Sequence, residues 1–265
     1  MESAVDYKDI LVFLDTSPDA EARLNLAASL AQAHDARLLG VDVSSSSAAE
    51  RRADQAADLP DLQALFEGVL ESLGVDGQYL VADRGAAGAA IFYAHCADLV
   101  VATQHGEDGR AAEAAVTPEQ VLLSAGVPVL VLPRDWRPVA VGERVVFAWN
   151  ASREATRAAH DALPILARAR KVTVFTFGAQ LAEAKAGAQL MADHLRRHGV
   201  PAEVSTWTDA GGMSPMAALF ADLDTQEADL IVSGAYGHSS LAERLFGGAS
   251  HDLLQQPTLP LLMSH

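Results

Sequence analysis

Cysteine, basic residues and long apolar runs are all scarce in this chain of 265 residues. The single cysteine, Cys96, excludes an internal disulfide framework and favours a reducing compartment. No apolar stretch reaches the length of a membrane span, and the acidic start Met1-Glu2-Ser3 does not resemble a signal peptide. The composition therefore predicts a soluble cytoplasmic protein that contacts no membrane.

The shortage of basic residues bears on possible ligands. There are 19 Lys and Arg residues against 35 Asp and Glu, a formal net charge of −16. Such an acidic field repels phosphate backbones, so the chain is not expected to bind nucleic acid. A small nucleotide remains possible, because loop amides act locally and charges beyond a Debye length are screened.

The sequence contains an internal duplication. Three pairs of segments match in pattern and in order: 10–17 with 145–152, 97–102 with 228–233, and 127–131 with 259–263. Two copies at so long a period exclude a solenoid. The segment 133–138, with two prolines and mixed charge, is typical of a linker. We expect domains at 1–137 and 138–265.

Short apolar runs alternate with helical patterns in each half. In the second half we expect strands near 144–148, 171–177, 202–206, 230–233 and 259–263, with helices near 153–168, 179–198, 215–226 and 248–255. Pro164 should kink the first of these helices. The alternation predicts an α/β fold of two doubly wound, Rossmann-like parallel sheets with five strands each.

A glycine motif follows the apolar run 230–233. Gly234 and Gly237 are separated by two residues, and Gly247 follows after nine more. A strand that leads into a glycine loop and then a helix start can present backbone N–H groups to a phosphate. Asn150 ends the first strand of this half, and it would face the same crevice if the two strands are neighbours.

With these features the chain resembles a tandem universal stress protein, a family with an adenine-nucleotide α-hydrolase-like fold. Its nucleotide-binding members carry this glycine spacing followed by Ser or Thr, and an Asp at the end of the first strand. Gly248 and Asn150 replace those two residues, although Ser250 offers a hydroxyl nearby. The resemblance implies a site for ATP or a related adenine nucleotide, with Mg²⁺ as a candidate companion. The implied site residues are Ala148, Trp149, Asn150, Phe177, Ser233, Gly234, Gly237, His238, Gly247, Gly248, Ala249 and Ser250.

The first half departs further from the family pattern. It keeps Asp15, and Gly106 and Gly109 form one Gly-x2-Gly, but Glu119 stands where the third glycine is expected. We interpret this half as a degenerate copy. The resemblance also implies that the two halves pair through 129–132 and 259–263, and a homodimer of whole chains is a further candidate assembly.

Several residues have two interpretations. Trp149 at a strand end either stacks on a base or packs in the core. His194 and His198 have the spacing of a shared metal site, but histidines near a helix C-terminus also meet its dipole favourably, and we expect no metal site. Cys96 is either a redox sensor or, as we expect, a small buried hydrophobe.

The function predicted from these features is a stress-response regulator that needs no catalytic residue, because nucleotide occupancy is itself the signal. One alternative is an interaction scaffold with a vestigial glycine loop. The other is a slow ATP hydrolase in which Asp209 and Glu243 position water or metal, although neither lies in a Walker-type context.

Overall fold

The computed structural model describes residues 6–44, 61–82, 88–104, 116–178, 181–208, 212–235, 253–254 and 258–265. The chain divides into two compact units, Asp6–Pro138 and Val139–His265. In the described part of the chain, no helix is both long and apolar enough to cross a membrane.

The first unit alternates strands and helices. Its strands are β1 (Asp9–Leu14), β2 (Arg37–Asp42), β3 (Gly77–Val81), β4 (Leu99–Thr103) and β5 (Val129–Leu132). Its helices are α1 (Ala20–His34), α2 (Leu62–Leu73), α3 (Ala89–Ala94) and α4 (Pro118–Ser124). The strands are parallel and lie in the order β3-β2-β1-β4-β5.

The second unit repeats this arrangement. Its strands are β6 (Arg144–Ala148), β7 (Lys171–Phe177), β8 (Ala202–Trp207), β9 (Leu230–Gly234) and β10 (Leu261–Ser264). Its helices are α5 (Arg153–Asp161), α6 (Leu163–Leu166), α7 (Leu181–Arg197) and α8 (Pro215–Gln226). The parallel order β8-β7-β6-β9-β10 is the order of the first unit, which confirms the predicted duplication.

Each unit contains the five parallel strands that were predicted for it. Two other expectations need adjustment or correction. The helix expected at 153–168 is divided into α5 and α6, because Pro164 lacks the N–H that a continuous helix requires. Cys96 is exposed, and the expectation of a buried thiol is wrong. The helix expected at 248–255 lies mostly outside the described residues.

Strand burial explains why these segments form a parallel sheet. The strands β4, β5, β9 and β10 are buried along nearly their whole length, as expected for strands with helices on both faces.

A repeated aspartate anchors the start of each unit. Asp98 accepts the amides of Lys8 and Asp9, while its counterpart Asp229 accepts the amide of Arg144 at 3.1 Å.

The strand order reverses at corresponding places in the two units. The first strand of each unit, β1 or β6, lies between the second and the fourth. Ligands of doubly wound sheets bind beside the carboxyl ends of the strands at such a reversal. We call this side of each unit its carboxyl edge.

Candidate functional site

The carboxyl edge of the second unit brings β6 and β9 together. These strands pair in parallel up to Ala148 and Ser233; Gly234 follows Ser233 directly, and Asn150 lies two residues after Ala148. The sequence left open whether the two strands are neighbours, and the structure confirms that they are.

Gly234 lies directly against the start of α5. A Cβ at this position would overlap the backbone nitrogen of Ala155 and would come within 2.5 Å of the Glu154 carbonyl carbon. Only a residue without a side chain permits this approach. The carboxyl end of β9 therefore contacts the N-terminus of α5 through backbone alone.

Side-chain hydrogen bonds shape the turn between β6 and α5. The exposed Asn150 accepts the Ser152 amide at 3.1 Å through Oδ1, and Ser152 caps the helix by accepting the Ala155 amide at 3.1 Å. Ala151 between them has a φ of 58°, in the left-handed region that L-residues rarely adopt. Within the described residues, Asn150 Nδ2 donates to no protein group.

The aromatic residues predicted to surround a base lie on opposite faces of the sheet. Side chains alternate along a strand, so Ala148 and Trp149 face opposite ways. The Trp149 indole is 8% exposed and packs against Phe147, with ring centroids 5.7 Å apart. Its Nε1 also lies 3.9 Å from where a Cβ on Gly187 of α7 would stand. These contacts place the indole between β6 and α7.

Phe177 occupies the other face. Phe175 pairs with Ala148, and Phe177 is two residues further along β7, so both side chains share the face of Ala148. Ser233, which also pairs with Ala148, faces the same way. The structure thus brings Ala148, Phe177 and Ser233 to one side and leaves Trp149 on the other.

The remaining predicted residues lie outside the described residues. They are Gly237, His238, Gly247, Gly248, Ala249 and Ser250, together with the hydrolase candidates Asp209 and Glu243.

The two units differ in charge at their carboxyl edges. The first unit has Asp15 after β1 and Asp42 at the end of β2, where Tyr79 Oη donates to Asp42 at 2.6 Å. Asn150 and Thr176 stand at the corresponding positions of the second unit. The second unit therefore has no carboxylate at either of these two positions. Glu154, in the first turn of α5, is ion-paired to Arg153 at 3.3 Å.

A histidine cluster lies away from this edge. His194 and His198 of α7 have ring centroids 4.8 Å apart, and His160 of α5 lies 5.3 Å from His194. Burial and the charges of the neighbouring histidines and Arg197 lower the pKa of His194. In the described ranges, no three His, Cys, Asp or Glu side chains are arranged to hold a metal ion.

The sequence interpretation missed Arg23, whose guanidinium lies at the carboxyl edge of the first unit. Extending the match of 10–17 with 145–152 by six residues would have paired Arg23 with Ala158. This pairing of a cationic side chain with a methyl group was the sequence feature that could have identified Arg23.

No protein-family model matches the chain, and no curated protein matches it in sequence. Solved structures do match it. A universal stress protein from Archaeoglobus fulgidus DSM 4304 is similar with a TM-score of 0.71 at 14% identity, over 96% of this chain and 97% of that one. A putative universal stress protein from Pseudomonas aeruginosa UCBPP-PA14 gives 0.61 at 16%, over 97% and 93%. A functionally unknown protein from Pseudomonas aeruginosa PAO1 gives 0.61 at 17%, over 97% and 92%.

These matches cover both units, and identities this low establish the fold alone. The chain therefore has the fold of tandem universal stress proteins along its whole length.

Proposed function

We propose that the second unit binds ATP or a related adenine nucleotide at its carboxyl edge, and that the protein is a stress-response regulator of the universal stress protein family. The observation that carries this proposal is the position of the glycine motif. It begins at Gly234, at the end of β9, where β9 adjoins β6 and the strand order reverses.

The groups at this edge suit a nucleotide. Asn150 is exposed, and its Nδ2 is available to a base or sugar oxygen. Phe177 and Ser233, which are 7% and 8% exposed, share one face of the sheet at the ends of β7 and β9. The glycine spacing supplies close backbone approach for the phosphates, as helix starts and glycine loops do elsewhere. Trp149 has a packing role in this proposal, because it lies between β6 and α7.

The direct test is to isolate the protein natively, denature it, and identify any released nucleotide by absorbance and mass. If the protein is isolated empty, added ATP should raise its melting temperature. At a concentration about 100-fold above Kd, a ligand specific for the folded state adds about 2.7 kcal/mol of stability.

The matched control is Gly237→Asp, which places a side chain and a negative charge within the glycine spacing. This variant should be isolated without nucleotide and show no ATP-dependent shift. A wild-type protein that is both empty and indifferent to millimolar-scale ATP would contradict the proposal and favour the interaction scaffold.

A further inference from the structure

Arg23 of α1 crosses the carboxyl edge of the first unit. Its side chain is 2% exposed. Nε donates to the Phe13 carbonyl oxygen at 2.7 Å, and Nη1 donates to Thr103 Oγ1 at 2.7 Å. Nη2 lies 3.1 Å from Asp15 Oδ2. One guanidinium therefore joins the ends of β1 and β4, the two strands between which the order reverses.

The guanidinium stands where strand pairing stops. The ladder between β1 and β4 ends at Val12 and Val101. In the second unit the corresponding ladder continues one step further, to Ala148 and Ser233. Phe13 is the counterpart of Ala148. Its carbonyl oxygen accepts a hydrogen bond from Arg23, and Phe13 does not continue the ladder.

Among its described residues, the second unit has no equivalent of this contact. Ala158, fully buried, stands at the position of Arg23, and Gly234 replaces Thr103. Its helix also begins earlier, because α5 starts at Arg153 whereas α1 starts at the counterpart of Ala155. In the first unit the Arg23 side chain spans the space between the strand ends. In the second unit the backbone at the start of α5 approaches that space instead.

The contacts of Arg23 also occupy the groups that a nucleoside would need. Asp15 Oδ1 accepts the Ser17 amide at 2.9 Å, and Oδ2 faces the guanidinium. Burial acts to raise the pKa of Asp15, but the charge of Arg23 and the hydrogen bonds from Ser17 lower it below its ordinary value. Asp15 Oδ1 is therefore hydrogen-bonded and Oδ2 is ion-paired, while 36% of the Asp15 side chain stays exposed.

A ligand that entered the space between the ends of β1 and β4 would have to separate the buried guanidinium from Phe13, Asp15 and Thr103. Leaving a buried charge unpaired is strongly destabilising. We propose that Arg23 is a built-in occupant of the first-unit crevice, the space bounded by Phe13, Asp15 and Thr103, and that it excludes nucleosides from that unit. Ligand binding is thereby restricted to the second unit, a consequence that rests on the proposed function.

The test uses the full chain, with adenosine as the probe and backbone amide NMR as the readout. Adenosine should not shift first-unit amides of the wild type. Arg23→Ala, which copies Ala158, should produce saturable shifts at residues 13–17 and at Thr103, with a Kd at least about tenfold below any limit for the wild type.

The control is Arg37→Ala. Arg37 is in the same unit and is also ion-paired, with Nη2 2.7 Å from Asp9 Oδ1, but it lies at the start of β2 and is half-exposed. This variant should leave the first unit unresponsive to adenosine. The pKa of the Asp15 carboxyl, followed by ¹³C NMR, should rise in Arg23→Ala and stay unchanged in Arg37→Ala.

Saturable first-unit shifts in the wild type would overturn the inference, as would a folded Arg23→Ala protein that ignores adenosine. Arg23→Gln keeps a donor for the Phe13 carbonyl, and it serves as the second variant if the alanine variant does not fold. Shifts of second-unit amides report separately on the proposed function. Their absence from every variant would contradict that function and leave the first-unit result intact.

Discussion

Gly234 and Ala155 are in backbone contact: any side chain on Gly234 would overlap the amide nitrogen of Ala155. The glycine that opens the nucleotide motif is therefore required by packing as well as by the proposed ligand. It holds the end of β9 against the first turn of α5, at the carboxyl edge of the second unit.

We expect Gly234→Ala to destabilise the second unit by roughly 1–3 kcal/mol, because either the helix or the strand must move to accept the methyl group. Urea unfolding followed by circular dichroism measures this change. Gly187→Ala in α7 is the control, since its Cβ would meet its nearest atom at an ordinary 3.9 Å. That variant should be neutral or stabilised by up to about 1 kcal/mol. Equal stability of the two variants would refute the close contact.

We expect Trp149→Phe to lower stability by roughly 0.5–3 kcal/mol while leaving ATP affinity unchanged, because the indole packs between β6 and α7. Asn150→Ala should weaken ATP binding by about one hydrogen bond, 0.5–1.5 kcal/mol, because it removes the exposed Nδ2 donor. It also removes the acceptor of the Ser152 amide, so its stability is measured alongside its affinity. Calorimetric titration of both variants distinguishes packing from stacking. A large loss of ATP affinity in the phenylalanine variant would show that the indole contacts the base.

The acid stability of the first unit should depend on Asp15. Its pKa is lowered in the folded state from an ordinary 3.8, since the Arg23 charge and the Ser17 hydrogen bonds outweigh burial. A carboxyl of this kind stabilises the fold above its unfolded pKa and loses that effect as pH falls through the folded pKa. The stability advantage of wild type over Asp15→Asn should therefore shrink below pH 3.8. In an Arg23→Ala background it should shrink far less, and an equal decline there would contradict the role of Arg23.

Asp229 should show the opposite dependence. Burial raises its pKa above 3.8, although the amides of Arg144, Gly142 and Glu143 act to lower it. The stabilising contribution of such a carboxyl is complete below the unfolded pKa and is lost as pH rises through the folded pKa. Relative to Asp229→Asn, wild type should lose stability as pH rises from about 3.8. The ¹³C titration midpoint of Asp229 should exceed 3.8, and a lower midpoint would disprove this.

Much of the fold could be predicted from apolar runs. The strands β6 and β7 have the predicted bounds, and so does α8. These segments are buried on both faces or carry a clear cap such as Ser214, so local sequence and tertiary environment favour the same structure. The strand β10 begins two residues later and ends one residue later than predicted, since composition does not fix where a strand starts or stops.

The candidate site was less predictable. Glycine spacing identified Gly234, and the duplication identified Asn150 as a strand end. Neither could show that Trp149 and Phe177 lie on opposite faces, because that depends on the register between β6 and β7. Arg23 was missed because Thr103 is distant from it in sequence and because Phe13 contributes only a backbone carbonyl, which residue identity does not reveal.

The sequence alone determined that the chain is duplicated, that each copy alternates strands with helices, and that only the second copy keeps the glycine spacing, because these properties are periodic or repetitive along the chain. Tertiary structure alone decided which carbonyl accepts Arg23, how far β4 and β9 follow their neighbours, and which face receives an aromatic ring. The physical reason is that a buried guanidinium and a strand register are settled by partners from several elements at once, and no local stretch of sequence contains all of those partners.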